Sequence, residues 1–188
     1  MKQILTAFKH LKTILIHKYW VAKYCFQLGL YWRGVTHDFS KFHPIEFLES
    51  IKYYTGTSSP INECKKDKGY SLAWQHHKGH NPHHYEYWTD NYDGNNLTCH
   101  PIPYEYLMEM MADWFAAGRT YKGKTFKVQD EVDWWEWKKT TNPAINLQTI
   151  KWIDCFMEEI KFFGSLSFIK DPINQAVLKF RLFDLYRK

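Results

Sequence analysis

Apolar residues return every three or four positions from the start of the chain, at Ile4, Phe8, Leu11, Leu15, Ala22 and Phe26, with Ile14, Val21, Cys25 and Leu28 widening the stripe. That spacing lays them along one face of a helix with 3.6 residues per turn, so it predicts one long amphipathic helix ending near Gly29. No segment alternates with period two, and no hairpin dipeptide is flanked by alternating residues. A chain patterned in this way has to build its core from helices. The expectation is an all-α fold in a single compact domain over residues 1–188.

Further helices follow from local signals. One runs from about Leu30 to the Asp38 region and stops before His43-Pro44, because the residue before proline is pushed out of helical geometry. Pro44 opens another through Phe47, Leu48, Ile51 and Tyr54. Thr55 to Asp67, rich in Gly, Ser, Pro and charge, reads as an exposed loop. Ser71 caps a helix through His77 that Lys78-Gly79 should end, and Asn81-Pro82 should start a new one containing His83, His84, Tyr87 and Trp88. Asp90 to Pro101 reads as a polar loop. A helix from Pro103 and Glu105 runs through Trp114 and Phe115 and is expected to close at Gly118. The pattern weakens after Lys122-Gly123 and returns over Leu147 to Phe163 and Ile173 to Tyr186, the C-terminal helices at about 147–186.

Composition narrows the class. At 188 residues the chain is long enough for one sizeable core. Aromatics make up 19% of it, with nine Trp, a load that fills cores and also lines pockets able to stack a base or sugar. The formal net charge of +5 favours anionic partners. The lysines are dispersed instead of forming a basic arm, so a small phosphorylated molecule suits the charge as well as nucleic acid does, and nucleic acid is not favoured. Cys25, Cys64, Cys99 and Cys155 form no CxxC pair, which argues against a zinc ribbon or thioredoxin motif and for reduced thiols in a cytoplasmic protein. Charged residues break up the apolar N-terminus, so no signal peptide is expected. No stretch approaches the ~18 apolar residues of a membrane span.

Histidine is the chemical signal. His37-Asp38 stands apart from a run of five, His76, His77, His80, His83 and His84, within nine residues. Adjacent positions on a helix point about 100° apart, so His37 and Asp38 can share an ion only in the angle between them near a helix end. His17 on the first helix and Asp113 on the helix beyond the cluster complete the order H, HD, D. Imidazole with carboxylate suits Mn, Fe, Co, Ni or Zn better than Ca or Mg. A zinc clasp from His76, His80 and His84 at i, i+4 spacing is the structural alternative, although Pro82 disfavours the continuous helix it needs.

The order His17, His37-Asp38, Asp113 resembles the HD superfamily of metal-dependent phosphohydrolases, all-α proteins in which these four positions hold a divalent ion. A closer resemblance covers about residues 17–118: Gly29 to Phe42 (GLYWRGVTHDFSKF), Gly69 to Trp74 (GYSLAW), His76 to Trp88 (HHKGHNPHHYEYW) and Glu109 to Trp114 (EMMADW). These segments are similar to an HD-related family of bacterial and phage proteins with no established activity. His80 stands where that family's pattern has Arg or Lys.

Within the superfamily, two-metal sites add two histidines between the HD pair and the last Asp, which implies one or two ions here. His76 or His77 offers one of these histidines and His83 or His84 the other; His77 and His84 are the chosen ligands, and His76 and His83 the substrate contacts, with an acid or base role open to a member of either pair. Lys41, three residues past Asp38, is placed to neutralise a phosphate or is a surface lysine. Glu109, four residues before Asp113 on the same face, either orients a ligand or takes a proton. Arg33 and Arg119 are phosphate candidates or helix C-terminal caps. Trp74, Tyr87, Trp88 and Trp114 flank the ligands, with packing as the default role. The expected function is hydrolysis of a nucleotide or other small phosphoester by a metal-activated water. The alternatives are a diiron HD-type oxygenase and a non-catalytic, metal-stabilised binding protein.

Overall fold

The computed structural model describes residues 2–91, 94, 96–141, 143–164 and 166–186. Among these the regular structure is nine α-helices, short 3-10 turns and one two-stranded ribbon. The long first helix, α1 (Lys2–Gln27), packs along α6 (Tyr104–Lys122), the most deeply buried helix. Between them Val21 and Cys25 of α1 meet Ala112 and Ala116 of α6, small side chains that let the two backbones approach. The short α2 (Tyr31–Thr36) folds back on α1. Gly34 permits this, since a Cβ there would stand 2.9 Å from the Cβ of Cys25.

Beside α1 lies a layer of α3 (Pro44–Tyr53), α4 (Pro60–Lys68) and α5 (Leu72–His80). On the other side α7 (Val128–Thr140), α8 (Leu147–Phe163) and α9 (Pro172–Tyr186) close the main core. There Leu107, Met111 and Phe115 of α6 pack with Trp135, Ile153, Phe156 and Ile160. At about 1.5–3 kcal/mol per fully buried large side chain, this cluster adds strongly to the packing that holds α6 in place. No described helix is long and apolar enough to cross a membrane.

The structure corrects several boundaries. The expected loop at 55–67 contains α4. Ser59 precedes Pro60 at the first helical position, Gly69 ends the helix in the left-handed region (φ 79°), and the helix buries only Pro60 and Cys64, too narrow a stripe to show through its charges. Helix α5 continues through Gly79 to His80, and the segment after Asn81 is a turn followed by a 3-10 turn (Tyr85–Trp88) instead of a new α-helix. Gly118 does not close α6. It lies inside the helix, where a Cβ would sit 2.4 Å from Glu131 Oε1 and from the Phe126 ring, so this glycine serves close packing. Gly123, with φ 58°, ends the helix instead. The polar stretch at 90–101 includes an antiparallel ribbon, β1 (Thr89–Asp90) with β2 (Thr98–Cys99). Its residues 92, 93 and 95 lie outside the described residues, as do residues 1, 187 and 188.

Candidate metal centre

Four parts of the chain converge between α1 and α6. His17 comes from the middle of α1, and Asp113 from α6 directly across from it, their nearest atoms 2.9 Å apart. His37 is the residue that ends α2, and Asp38 follows in the left-handed region at φ 55°, ψ 31°. Asp38 is the one non-glycine residue with positive φ among those described. Asp tolerates that conformation better than most residues, and here it turns the carboxylate back beside the preceding imidazole. His77 enters from α5, and His83 and His84 from the turn after Asn81.

Asp38 is the hinge of the arrangement. Its Oδ2 lies 3.2 Å from His37 Nε2 and 3.7 Å from His17 Nε2, while its Oδ1 lies 3.4 Å from both His77 Nε2 and His83 Nε2. Two four-donor groups result, His17, His37, Asp38 and Asp113 on one side and Asp38, His77, His83 and His84 on the other. Ligands of one transition-metal ion, each ~2.0–2.2 Å from it, stand roughly 3–3.5 Å apart. The observed spacings are of that size.

The donor atoms are buried yet lack hydrogen bonds: Nε2 of His17, His37, His83 and His84 and both oxygens of Asp38 have no aligned partner. The His17–Asp113 approach is close but out of line for a hydrogen bond, and Lys41 Nζ, 2.6 Å from Asp38 Oδ2, forms an ion pair without that alignment. Native proteins leave only a few such atoms orphaned per hundred residues, and they are seldom gathered in one place. A cluster of six in one place, all nitrogen or carboxylate oxygen, fits a divalent transition metal by donor chemistry and by its unmet polar groups.

A second layer fixes which nitrogen faces inward. Glu109 Oε1 accepts from His37 Nδ1 at 2.9 Å and lies 3.3 Å from His83 Nδ1, while its Oε2 accepts from Arg33 Nη1 at 3.2 Å. Glu46 accepts from His77 Nδ1 at 2.8 Å and from His76 Nδ1 at 2.6 Å. With Nδ1 as the donor, Nε2 is the nitrogen that can give up its proton and turn a lone pair to a metal, the usual preparation of a metal-binding histidine. His37, His83 and Glu109 form a third group of possible donors, which meet through Nδ1 and so support the two rings from behind.

Charges within the cluster offset the cost of burying it. Burial pushes the Glu109 carboxyl up, but hydrogen bonds from His37 and His83 outweigh it and bring the group down to about 2. Burial likewise opposes ionisation of Asp38, yet the charges of His37, Lys41 and His77 hold it well below the carboxylate range. For Asp113 the contacts from His17 and His37 overcome the same burial. His84 is driven the other way, well below an ordinary histidine, by burial and by neighbouring His83 and His77.

Two cavities adjoin the donors. A cleft of about 720 Å³ reaches His37, Asp38, His83, Glu109 and Arg33. A more enclosed cavity of about 490 Å³ reaches His17, Lys41, His77, His84 and Asp113. Trp74, Trp134, Lys65 and Lys138 also line the second cavity. Arg33 is engaged with Glu109 and lies over the Tyr106 ring at 3.7 Å. Arg119 lies over Trp20 at 5.0 Å and lines neither cavity. His76 also lines neither, being stacked between His43 and His80 with ring centroids 4.3 and 4.1 Å away. Among the described residues His76 and His80 join no donor group, whereas His83, expected beside a substrate, falls among the donors with His77 and His84.

Sequence reasoning misses Glu46, because an acidic residue in the first turn of α3 has an ordinary role opposite the helix dipole. It also misses Trp134, Trp137 and Lys138, which α7 brings to the second cavity. No motif marks them, and only the folding of α7 against α6 reveals them.

No curated protein and no solved structure matches the chain. A family model described as "Family of unknown function (DUF5662)" matches residues 6–159, which include every donor and both supporting carboxylates, and the chain belongs to that family.

Proposed function

We propose that the protein is a metal-dependent phosphohydrolase of the HD type, working in the cytoplasm on a nucleotide or other small phosphoester. The observation that carries the reading is Asp38, whose two oxygens, neither with an aligned hydrogen bond and one ion-paired to Lys41, face two separate sets of imidazoles. His17, His37, Asp38 and Asp113 would hold one divalent ion, and Asp38, His77, His83 and His84 a second. When bound, such ions polarise a phosphoryl oxygen and lower the pKa of water toward neutrality.

The chain's own groups do the rest. Lys41 lines the enclosed cavity beside Asp38. Asp38 holds its ammonium charged against the effect of burial, so Lys41 is placed to take negative charge from a phosphate. Glu109 is a positioning residue, since both of its oxygens are engaged by His37, His83 and Arg33. Lys65 and Lys138 add positive charge to the cavity, and Trp74 and Trp134 add flat apolar wall. The same donors would also suit two irons and oxygen chemistry. The three lysines around the cavity favour a phosphate instead.

The test is a panel of phosphomonoesters and nucleotides offered to protein loaded with Mn, Co or Ni. Phosphate release is expected from at least one, and Lys41→Ala should lower turnover more than metal content. Inert, fully metallated protein across the panel would remove the reading. Oxygen consumption by an iron-loaded, reduced sample would put the oxygenase in its place.

A further inference from the structure

The enclosed cavity is also lined by residues outside the donor groups, among them His10, Thr13 and Ile14 of α1, Ser50 of α3, and Ala117, Thr120 and Tyr121 of α6. His10 lies two helical turns before His17, on the same face. It is 6% exposed, and its Nδ1 is buried without a hydrogen-bond partner. The Phe47 and Tyr54 rings hold it, with centroids 5.4 and 5.3 Å away. Thr13 Oγ1 is already bonded to Tyr54 at 2.7 Å and to the Lys9 carbonyl at 3.1 Å. Burial, assisted by the charge of Lys41, lowers the His10 pKa to about 4, so the ring is neutral near pH 7 and has one lone pair and one N–H to offer.

We propose that His10 is a specificity-determining residue that hydrogen-bonds a hydroxyl of a sugar or polyol, carried by the ester whose phosphate lies at Lys41 and the metal donors. This rests on the phosphohydrolase reading. The chemistry of the wall selects the ligand. Thr13, Ser50, Thr120 and Tyr121 are neutral hydroxyl-bearing residues and Ile14 and Ala117 apolar ones, so the wall around His10 gives a second anion little to bind, while Lys65 and Lys138 line the same cavity as an alternative place for one. An apolar group would leave His10 Nδ1 unpaired. A hydroxyl, which donates and accepts, pairs with it in either tautomer. The cavity is large enough for a phosphorylated sugar.

Calorimetry on the manganese-loaded full chain tests the proposal with two probes that have no ester bond to cleave, methylphosphonate and the phosphonate analogue of ribose 5-phosphate. The wild type should bind the ribose probe at least about tenfold more tightly, and His10→Phe, which keeps the ring volume but removes both nitrogens, should erase most of that advantage. Methylphosphonate affinity should be unchanged in the variant, which also shows that it is folded and metallated. His10→Asn should restore part of the difference. Equal affinity of the wild type for both probes, or an advantage that survives in His10→Phe, overturns the proposal while leaving the hydrolase reading standing. Failure of the wild type to bind either probe removes both.

Discussion

Glu109 Oε1 stands 2.9 Å from His37 Nδ1, on the far side of the imidazole from Asp38. One carboxylate thus sets the orientation of the ring that faces another. Glu109→Gln keeps the size and one accepting oxygen but loses the charge that favours the Nδ1 proton. Metal affinity should fall by roughly 10–100-fold, the usual loss when a ligand's supporting carboxylate is removed. Helical content should be retained, because the core residues of α6 remain. Competition with a chelator, read alongside circular dichroism, measures both. Unaltered affinity would show that Glu109 does not support the site.

Gly118 faces Glu131 and Phe126, with no room for a methyl group. Gly118→Ala improves helix propensity by ~1 kcal/mol but forces neighbouring groups aside, and overpacking of this kind costs ~1–3 kcal/mol. The net effect should be destabilising, seen as a lower denaturation midpoint. A stabilised variant would mean that the α6–α7 contact yields easily.

Burial opposes the charge of Glu131, over the same glycine, and pushes its carboxyl up from the usual 4.5 to about 7. The folded protein therefore holds this proton more tightly than the unfolded chain does. Folding stability falls as pH rises from about 4.5 to about 7, by an amount on the order of 1–3 kcal/mol. Glu131→Gln should flatten that part of the stability profile and leave the variant more stable than the wild type at pH 8. Parallel pH dependences in the two proteins would contradict this.

Much of this architecture can be read from residues alone, for identifiable reasons. The α8 helix is legible because Trp152, Ile153, Phe156, Met157 and Ile160 bury a broad stripe. By contrast α7 has only Val132 and Trp135 fully buried among charged neighbours, so its period is faint. The order His17, His37, Asp38, Asp113 is visible because each residue sits on or at the end of a helix whose face can be inferred. The choice between His83 and His84 is not visible. It depends on a turn whose backbone is tied by Asn81 Nδ2 to Ser40 Oγ and by Trp88 Nε1 to the Pro82 carbonyl. Glu46 is hidden for a similar reason, since its contacts with His76 and His77 span about 30 residues of chain and follow from how α3 meets α5.

Whether Asp38 serves two ions at once is read directly by elemental analysis of protein purified without chelator. About two transition-metal ions per wild-type chain are expected. Asp38→Ala should lose nearly all metal, and either His17→Ala or His84→Ala about one ion, with helical content maintained in all three. A wild type that takes up no metal on reconstitution, or an Asp38→Ala variant that keeps the full complement, would contradict that double role.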